Sequence, residues 1–137
     1  MQRNIKEGNV ITIYGELYST KNSKRILKAG DRLFIAKSAV SKAHDKQIEQ
    51  QLVIYRKKWE SLCIGKKYPL KVIFKIYRKT KRRFDYVNIV QGILDCMVRC
   101  GWLPDDDADH IIPCFEPYEV DSKNPRCEIR IDNSSNL

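Results

Sequence analysis

Apolar and polar residues alternate in several stretches of the chain, a pattern typical of half-buried β-strands. In residues 70–77, Leu70, Val72, Phe74 and Ile76 fall on one face and Lys71 and Lys75 on the other. Similar β-branched or alternating patterns predict further strands at 10–17, 32–36, 109–120 and 127–131. Because proline cannot donate a ladder hydrogen bond, Pro113 and Pro117 indicate that residues 109–120 form an edge or bulged strand.

Apolar residues at helical spacing predict two helices. The first is capped by Ser38 and runs to about Lys58, with a buried stripe of Val40, Ala43, Ile48, Leu52 and Tyr55. The second spans about Tyr86 to Arg99 and ends before Gly101, with a stripe of Ile89, Ile93, Leu94, Met97 and Val98. Residues 19–25, 65–69 and 78–83 are expected to form connections.

These elements predict an α+β fold in which two main helices pack on a mixed β-sheet. The length of 137 residues suits a single domain, expected over residues 1–132 and followed by a disordered polar tail at 133–137.

Charge narrows the class of partner. Lys and Arg outnumber Asp and Glu by 26 to 17, so the net charge is +9 and an anionic partner is favoured. Nucleic acid is the leading candidate, ahead of an acidic protein or a membrane surface. The N-terminus lacks an apolar signal region and no window approaches the ~20 apolar residues of a membrane span, so a cytoplasmic protein with no membrane partner is expected.

The cysteines do not indicate a metal site. They are five in number and form no CxxC pair, which argues against a disulfide framework and against a zinc ribbon. Cys96 and Cys100 are four residues apart on the second helix, where packing is a better interpretation than metal binding because no nearby ligands complete a site.

Two acidic points flank the second helix. Asp85 opens it, with Asn88 one turn later, and Asp105, Asp106 and Asp107 follow Pro104 beyond its end. Asp85 is also a normal N-cap residue, and acids after proline are common in turns. In a basic protein, however, adjacent carboxylates also suit a hard cation such as Mg²⁺.

The helix separates the two acidic points by ~20 Å at 1.5 Å per residue. They can converge only if they belong to different subunits, or if the Pro-Asp segment folds back along the helix. The sequence leaves both arrangements open.

At these residues the chain resembles the RusA family of Holliday-junction resolvases, common in prophages. The matching segments are Asp85 to Asn88, Ile93 to Cys96, Gly101-Trp102 and Asp105-Asp106, and residues 20–25 match a polar loop of the family more weakly. The resemblance implies a RusA-like fold and a homodimer that cuts four-way junction DNA in recombination and repair. It implies Mg²⁺, for which Mn²⁺ can substitute, and no small-molecule cofactor.

The resemblance also assigns roles to residues. Asp85 and Asp106 would be metal ligands, with Asp105 supporting them and Asn88 nearby. The chain departs from the family at Val87, where the family has a second acid, and at Gln91, where it usually has lysine. Asp107 or Asp109 could replace the missing acid. The alternative is a junction-binding or nucleic-acid-binding module of the same fold with weak or no cutting activity.

Basic residues precede Asp85 and are candidates for phosphate contacts. The main set is Lys79, Lys81, Arg82 and Arg83, with Arg78 beside them, and the secondary set is Asn22, Lys24 and Arg25. A solvated loop is the alternative interpretation of the main set.

The remaining candidates receive ordinary structural assignments. Tyr86 can stack on a base, although a core position is favoured. Asp95 matches an acid of the RusA family in mid-helix, but a salt bridge or solvent exposure is favoured over metal binding because Asp95 is expected on the opposite side of the helix from Asp85. His44 is expected to be exposed and His110 to lie at a strand end.

Overall fold

The computed structural model describes residues 7–19, 24–30 and 32–133. The strands are β1 (Ile11–Tyr14), β2 (Lys24–Ala29), β3 (Arg32–Lys37), β4 (Leu70–Arg78), β5 (Ile111–Phe115), β6 (Glu119–Val120) and β7 (Arg126–Ile131). The helices are α1 (Ala39–Ile54), α2 (Arg56–Cys63) and α3 (Tyr86–Arg99), and a 3₁₀ turn covers Glu7–Asn9.

Five strands form one mixed sheet in the order β1-β7-β4-β5, with β6 also paired to β4. Strand β7 is antiparallel to β1 and β4, whereas β5 and β6 are parallel to β4. Strands β2 and β3 form a separate antiparallel hairpin. A parallel pair needs a crossover connection, and α3 provides it between β4 and β5. The chain therefore has the predicted α+β architecture, with β5 at the sheet edge as its proline indicated.

The alternating apolar residues of β4 and the apolar stripe of α3 supply much of the core. Leu70, Val72, Phe74 and Ile76 are buried together with Ile89, Ile93, Leu94 and Met97, as predicted. Helix α3 has the predicted bounds, and it ends before Gly101, whose φ of +77° favours glycine. The alternating residues of β7, namely Cys127, Ile129 and Ile131, are buried as predicted.

Two tryptophans join α2 to the turn after α3. The Trp59 and Trp102 rings stack with their centroids 4.7 Å apart, and both residues are buried. Trp59 Nε1–H donates to the carbonyl of Trp102 and Trp102 Nε1–H donates to the carbonyl of Leu52, each at 2.8 Å. This reciprocal contact fixes the position from which the Pro-Asp turn begins.

The first predicted helix differs from the structure in two respects. It breaks at Tyr55, and α2 then continues to Cys63, beyond the predicted end. Ser38 caps α1 as predicted, but Val40 is 61% exposed and Ala43 is exposed. The buried residues in this part of α1 are Ser41, His44 and Asp45. The prediction from apolar spacing missed these residues because they are polar. Asp45, for example, is buried in an ion pair whose carboxylate oxygen lies 3.4 Å from the Arg99 guanidinium of α3.

Some predicted boundaries also shift. Lys24 and Arg25 begin β2 and are not in a loop, while residues 20–23, including Asn22, lie outside the described residues, as do 134–137. Strand β1 is shorter than predicted, and the 109–120 segment becomes two short strands beginning at Ile111. Within the described ranges no helix is long and apolar enough to cross a membrane.

His44 was expected to be exposed, and this prediction was wrong, because only 7% of its surface is accessible. Its ring lies 4.2 Å from that of Tyr18. Burial lowers the pKa of His44 from its usual 6.5, although the nearby Asp45 carboxylate and the backbone of Glu16 act to raise it. The imidazole is therefore kept neutral by the fold.

We expect the free energy of unfolding to fall as the pH drops below 6.5, because the unfolded chain then binds a proton at His44 that the folded chain resists. A His44→Gln variant should lose this part of the pH dependence, measured by urea denaturation between pH 5 and 8. A His110→Gln variant is the control and should keep it. Equal slopes in wild type and His44→Gln would contradict the expectation.

Candidate metal and nucleic-acid site

Asp85 stands at the start of α3 but does not cap it in the expected way. Its backbone is extended and its carbonyl accepts from the N–H of Ile89 at 3.3 Å, whereas its side chain makes no capping hydrogen bond to the backbone. Instead, Asp85 Oδ2 accepts from Asn88 Nδ2 at 3.2 Å. The carboxylate is therefore turned along the helix surface, towards the next turn of α3.

The Pro-Asp segment folds back along α3, which is one of the two arrangements that the sequence left open. Trp102 and Leu103 are buried and anchor the segment, and the Trp102 N–H donates to the carbonyl of Met97 at 2.9 Å. From this anchor the chain brings Asp106 to the side of Gln91, in the middle of α3.

Gln91 joins two carboxylates that are distant in sequence. Its Nε2 donates to Asp95 Oδ1 at 3.0 Å and to Asp106 Oδ2 at 3.1 Å. One amide nitrogen thus holds an acid of α3 and an acid of the following turn, in the way that a cation between two carboxylates would.

These residues form a polar stripe on α3, consisting of Asp85, Asn88, Gln91 and Asp95. Successive members are three, three and four residues apart, the spacing of neighbours on one helix face. The expectation that Asp95 lies opposite Asp85 was therefore wrong. From the sequence, Asp95 was assigned to a salt bridge or to solvent, and Gln91 was considered only as a departure from the family's lysine, although their spacing from Asn88 indicates the shared face.

The other acids of the turn have local partners. Asp105 Oδ1 accepts from the N–H of Asp106 at 2.7 Å, so this side chain shapes the turn. Asp107 Oδ1 lies 2.5 Å from His110 Nδ1, and His110 directly precedes β5, as predicted. Asp109 is exposed. Asp105 thus positions Asp106, and Asp107 is held by a histidine instead of facing the α3 polar stripe.

The donor set suits a hydrated Mg²⁺ better than a metal fully enclosed by protein. Among the residues that the structure describes, no group of three or more His, Cys, Asp or Glu could hold a metal ion. Mg²⁺, however, commonly uses one or two carboxylates and keeps several waters. Asp95 and Asp106 supply two carboxylates at one point, and rotation of the Gln91 amide by half a turn would present a third oxygen. Asp85 contacts Asn88 and not this pair.

An exposed basic segment lies directly before the stripe. Its members Lys79, Lys81, Arg82 and Arg83 are all exposed, as phosphate-binding residues must be. Arg78 differs, because it is the last residue of β4 and is only 6% exposed. The side chains of Lys24 and Arg25 are not among those described.

Tyr86 and Val87, which follow Asp85 in sequence, are not part of the α3 polar stripe. Tyr86 stacks on Phe115 with the ring centroids 5.2 Å apart, and its hydroxyl accepts from the N–H of Tyr118 at 2.8 Å. It is therefore a packing residue, as favoured from the sequence. Val87 is 67% exposed, so an apolar side chain stands on the surface beside the stripe.

The two helix cysteines pack between α1 and α3. Cys96 Sγ lies 3.8 Å from the carbonyl of Asp45 and Cys100 Sγ lies 3.8 Å from that of Glu49. Burial raises the pKa of Cys96 to about 12, so its thiol stays protonated and is a poor metal ligand. This agrees with the packing interpretation.

No protein-family model matches the chain, and no curated protein matches it in sequence. The geometry of the site therefore carries the functional argument.

Proposed function

We propose that the protein is a structure-selective endonuclease that cuts four-way DNA junctions by divalent-metal-dependent hydrolysis of a phosphodiester. The observation that carries this proposal is the return of Asp106 to Gln91 and Asp95, on the same helix face as Asp85 and Asn88. A protein of net charge +9 that gathers carboxylates beside an exposed basic segment has the two parts that metal-dependent cleavage of nucleic acid requires. The resemblance of residues 82–112 to RusA resolvases suggests the junction as substrate.

Each part of the surface would have a distinct role. Asp95 and Asp106 would hold Mg²⁺ or Mn²⁺ in place of the Gln91 amide nitrogen that bridges them in this structure. The bound ion supplies activation of a water and stabilisation of the leaving oxygen. Asn88 holds one oxygen of Asp85 and leaves the other available to orient that water. The exposed lysines and arginines neutralise the phosphates on either side of the cut.

A homodimer fits this function. A four-way junction has two-fold symmetry, and a closed dimer with two-fold symmetry presents one copy of the site to each of two equivalent strands. The resemblance implies the same assembly. We therefore propose that two subunits act on one junction.

A second candidate function is binding to junction DNA or other nucleic acid with little or no cutting. Exposed Val87 favours it, because an apolar side chain stands where the resemblance implies an acid. Gln91 favours it too, because its amide already bridges the two carboxylates and competes with a cation for their oxygens.

Incubation with a synthetic four-way junction in Mg²⁺ or Mn²⁺ tests the proposal. We expect paired cuts that leave 5′-phosphate and 3′-hydroxyl ends, and no cuts in EDTA. Matched linear duplex of the same sequence should remain intact. Tight junction binding without cuts in either metal would support the binding module. Equal affinity for junction and duplex, without cuts, would contradict junction cutting and leave only binding to nucleic acid in general.

Binding through the basic segment should weaken steeply with salt. Each phosphate contact contributes ~0.9 to the slope of log K against log salt, so we expect Arg82→Gln and Arg83→Gln each to reduce the slope by about that amount. Fluorescence anisotropy in EDTA measures binding without cleavage. Lys57→Gln is the control, because α2 packs at the other end of α3 through Trp59. A wild-type affinity that does not change with salt would contradict the role of this segment.

A further inference from the structure

Arg78 is a buried cation for which the described residues provide no acceptor. It ends β4 with 6% of its surface exposed, and its Nε and Nη1 are fully buried with no hydrogen-bond partner in the described part of the chain. It forms no ion pair with the described residues. Its guanidinium carbon lies 4.3 Å from the ring centroid of Phe84, which is its one described side-chain interaction.

This arrangement is unfavourable unless something else binds there. A guanidinium remains protonated in proteins, so burial cannot be relieved by loss of its charge. The Phe84 ring attracts the cation but accepts none of its in-plane N–H groups. Buried N–H groups of a charged side chain normally have acceptors, so this guanidinium can still bind an acceptor from outside the chain.

The position of Arg78 indicates the chemistry of that ligand. Because α3 is the crossover from β4 to the parallel strand β5, its first turn lies near the end of β4, where Arg78 stands. Phe84, against which the guanidinium packs, directly precedes Asp85, the N-cap of α3. The Asp85 side chain makes no capping hydrogen bond to the backbone of this 14-residue helix, so the first-turn N–H groups are not satisfied by it. A helix N-terminus beside a guanidinium favours an oxyanion.

We propose that Arg78 and the first turn of α3 form a binding site for a phosphate oxyanion. Phosphate suits the site because its tetrahedral oxygens can accept from the Nε and Nη1 N–H groups and from helix N–H groups at once. Residues 79–83, which link Arg78 to this turn, are all exposed, so solvent reaches the segment beside the site. The site would take one backbone phosphate of nucleic acid. That identification of the source rests on the proposed function, whereas binding of a phosphate oxyanion does not.

Inorganic phosphate tests the site in the absence of DNA and metal. We expect phosphate to raise the melting temperature of the wild type above that in chloride at equal ionic strength, and to shift the NMR resonance of the Arg78 Nε–H in a saturable manner. Loss of a charge-assisted hydrogen-bond pair should weaken phosphate binding at least about tenfold in Arg78→Met. Lys57→Met, which removes an exposed cation of α2 outside the proposed binding surface, is the control and should retain both responses.

The outcomes separate the possible causes. An equal phosphate effect on wild type and Arg78→Met, or an Arg78 resonance that does not respond, would overturn the site. If Arg78→Met does not fold, the response of the Arg78 Nε–H resonance in the wild-type chain decides whether phosphate binds at this site. A short DNA oligonucleotide in EDTA should shift the same resonance, and a response to inorganic phosphate alone would reject nucleic acid as the source. A protein that fails to cut junctions can still pass the inorganic phosphate test, so the two proposals can fail separately.

Discussion

Replacing Asp106 by asparagine should remove most junction cleavage and leave junction binding nearly unchanged. Asparagine keeps the shape of the side chain and an oxygen that Gln91 can reach, but it removes the negative charge that a divalent cation requires. Changes around a metal site, even outside its ligands, typically cost ~10–100-fold in metal affinity or activity, so we expect a loss of at least ~100-fold for a ligand itself. Single-turnover cleavage of a synthetic junction in saturating Mg²⁺ measures the effect.

Asp109→Asn is the matched control for this change. Asp109 lies in the same segment as Asp106 and is exposed. Its replacement by asparagine removes the same charge from the chain. The cleavage rate of Asp109→Asn should stay within about twofold of wild type, because an exposed charge that does not bind the ion is screened by salt. A selective loss in this variant would instead identify Asp109 as the replacement for the missing acid. An equal loss in both variants would show that overall charge, and not a ligand, is responsible.

The same assay identifies the ligand set. If the ion is held at the Gln91 bridge, Asp95→Asn should match the loss in Asp106→Asn and Asp85→Asn should have a smaller effect. The resemblance implies the reverse, with Asp85 and Asp106 as the pair. A cleavage rate that none of the three substitutions lowers would exclude the α3 polar stripe as the catalytic site.

The largest expected loss of stability follows replacement of Trp102 or Trp59 by alanine. Either change removes a buried indole, breaks the stacked pair and removes a 2.8 Å hydrogen bond to a buried carbonyl. Truncation of a buried tryptophan to alanine typically costs ~3–5 kcal/mol. Urea denaturation, with the midpoint and slope fitted together, measures the change in the free energy of unfolding.

Two further variants make this prediction specific. Trp59→Phe keeps a ring but leaves the Trp102 carbonyl without its donor, so we expect a smaller loss of ~1–3 kcal/mol. Ile64→Ala changes a side chain that is 79% exposed and should stay within ~0.5 kcal/mol of wild type. Because the rings touch, the double alanine variant should lose less than the sum of the single losses. Additive losses would show that the stacked pair does not act as a unit.

Alternation and helical spacing predicted the parts of the fold whose core residues are apolar. Strand β4 and helix α3 followed this rule, since burial of Val72, Phe74, Ile93 and Met97 is favoured in any arrangement that closes the core. Helix α1 did not follow it. Its buried face contains Ser41, His44 and Asp45, and burial of Asp45 depends on Arg99 of another helix. A partner that is distant in sequence cannot be read from local periodicity.

The candidate site, like the fold, was predictable from the sequence only in part. The sequence by itself identified Asp85, Asn88, Asp105 and Asp106 as residues of suitable chemistry, together with the exposed basic segment, because residue type and charge are local properties. Only the tertiary structure decided how they combine: the tryptophan-anchored turn folds back along α3, so that Asp106 meets Gln91 and Asp95 while Asp105 serves the turn. It also decided that Arg78 is buried and the neighbouring cations are not. Such choices depend on packing between distant segments, which bring together groups that local spacing keeps apart.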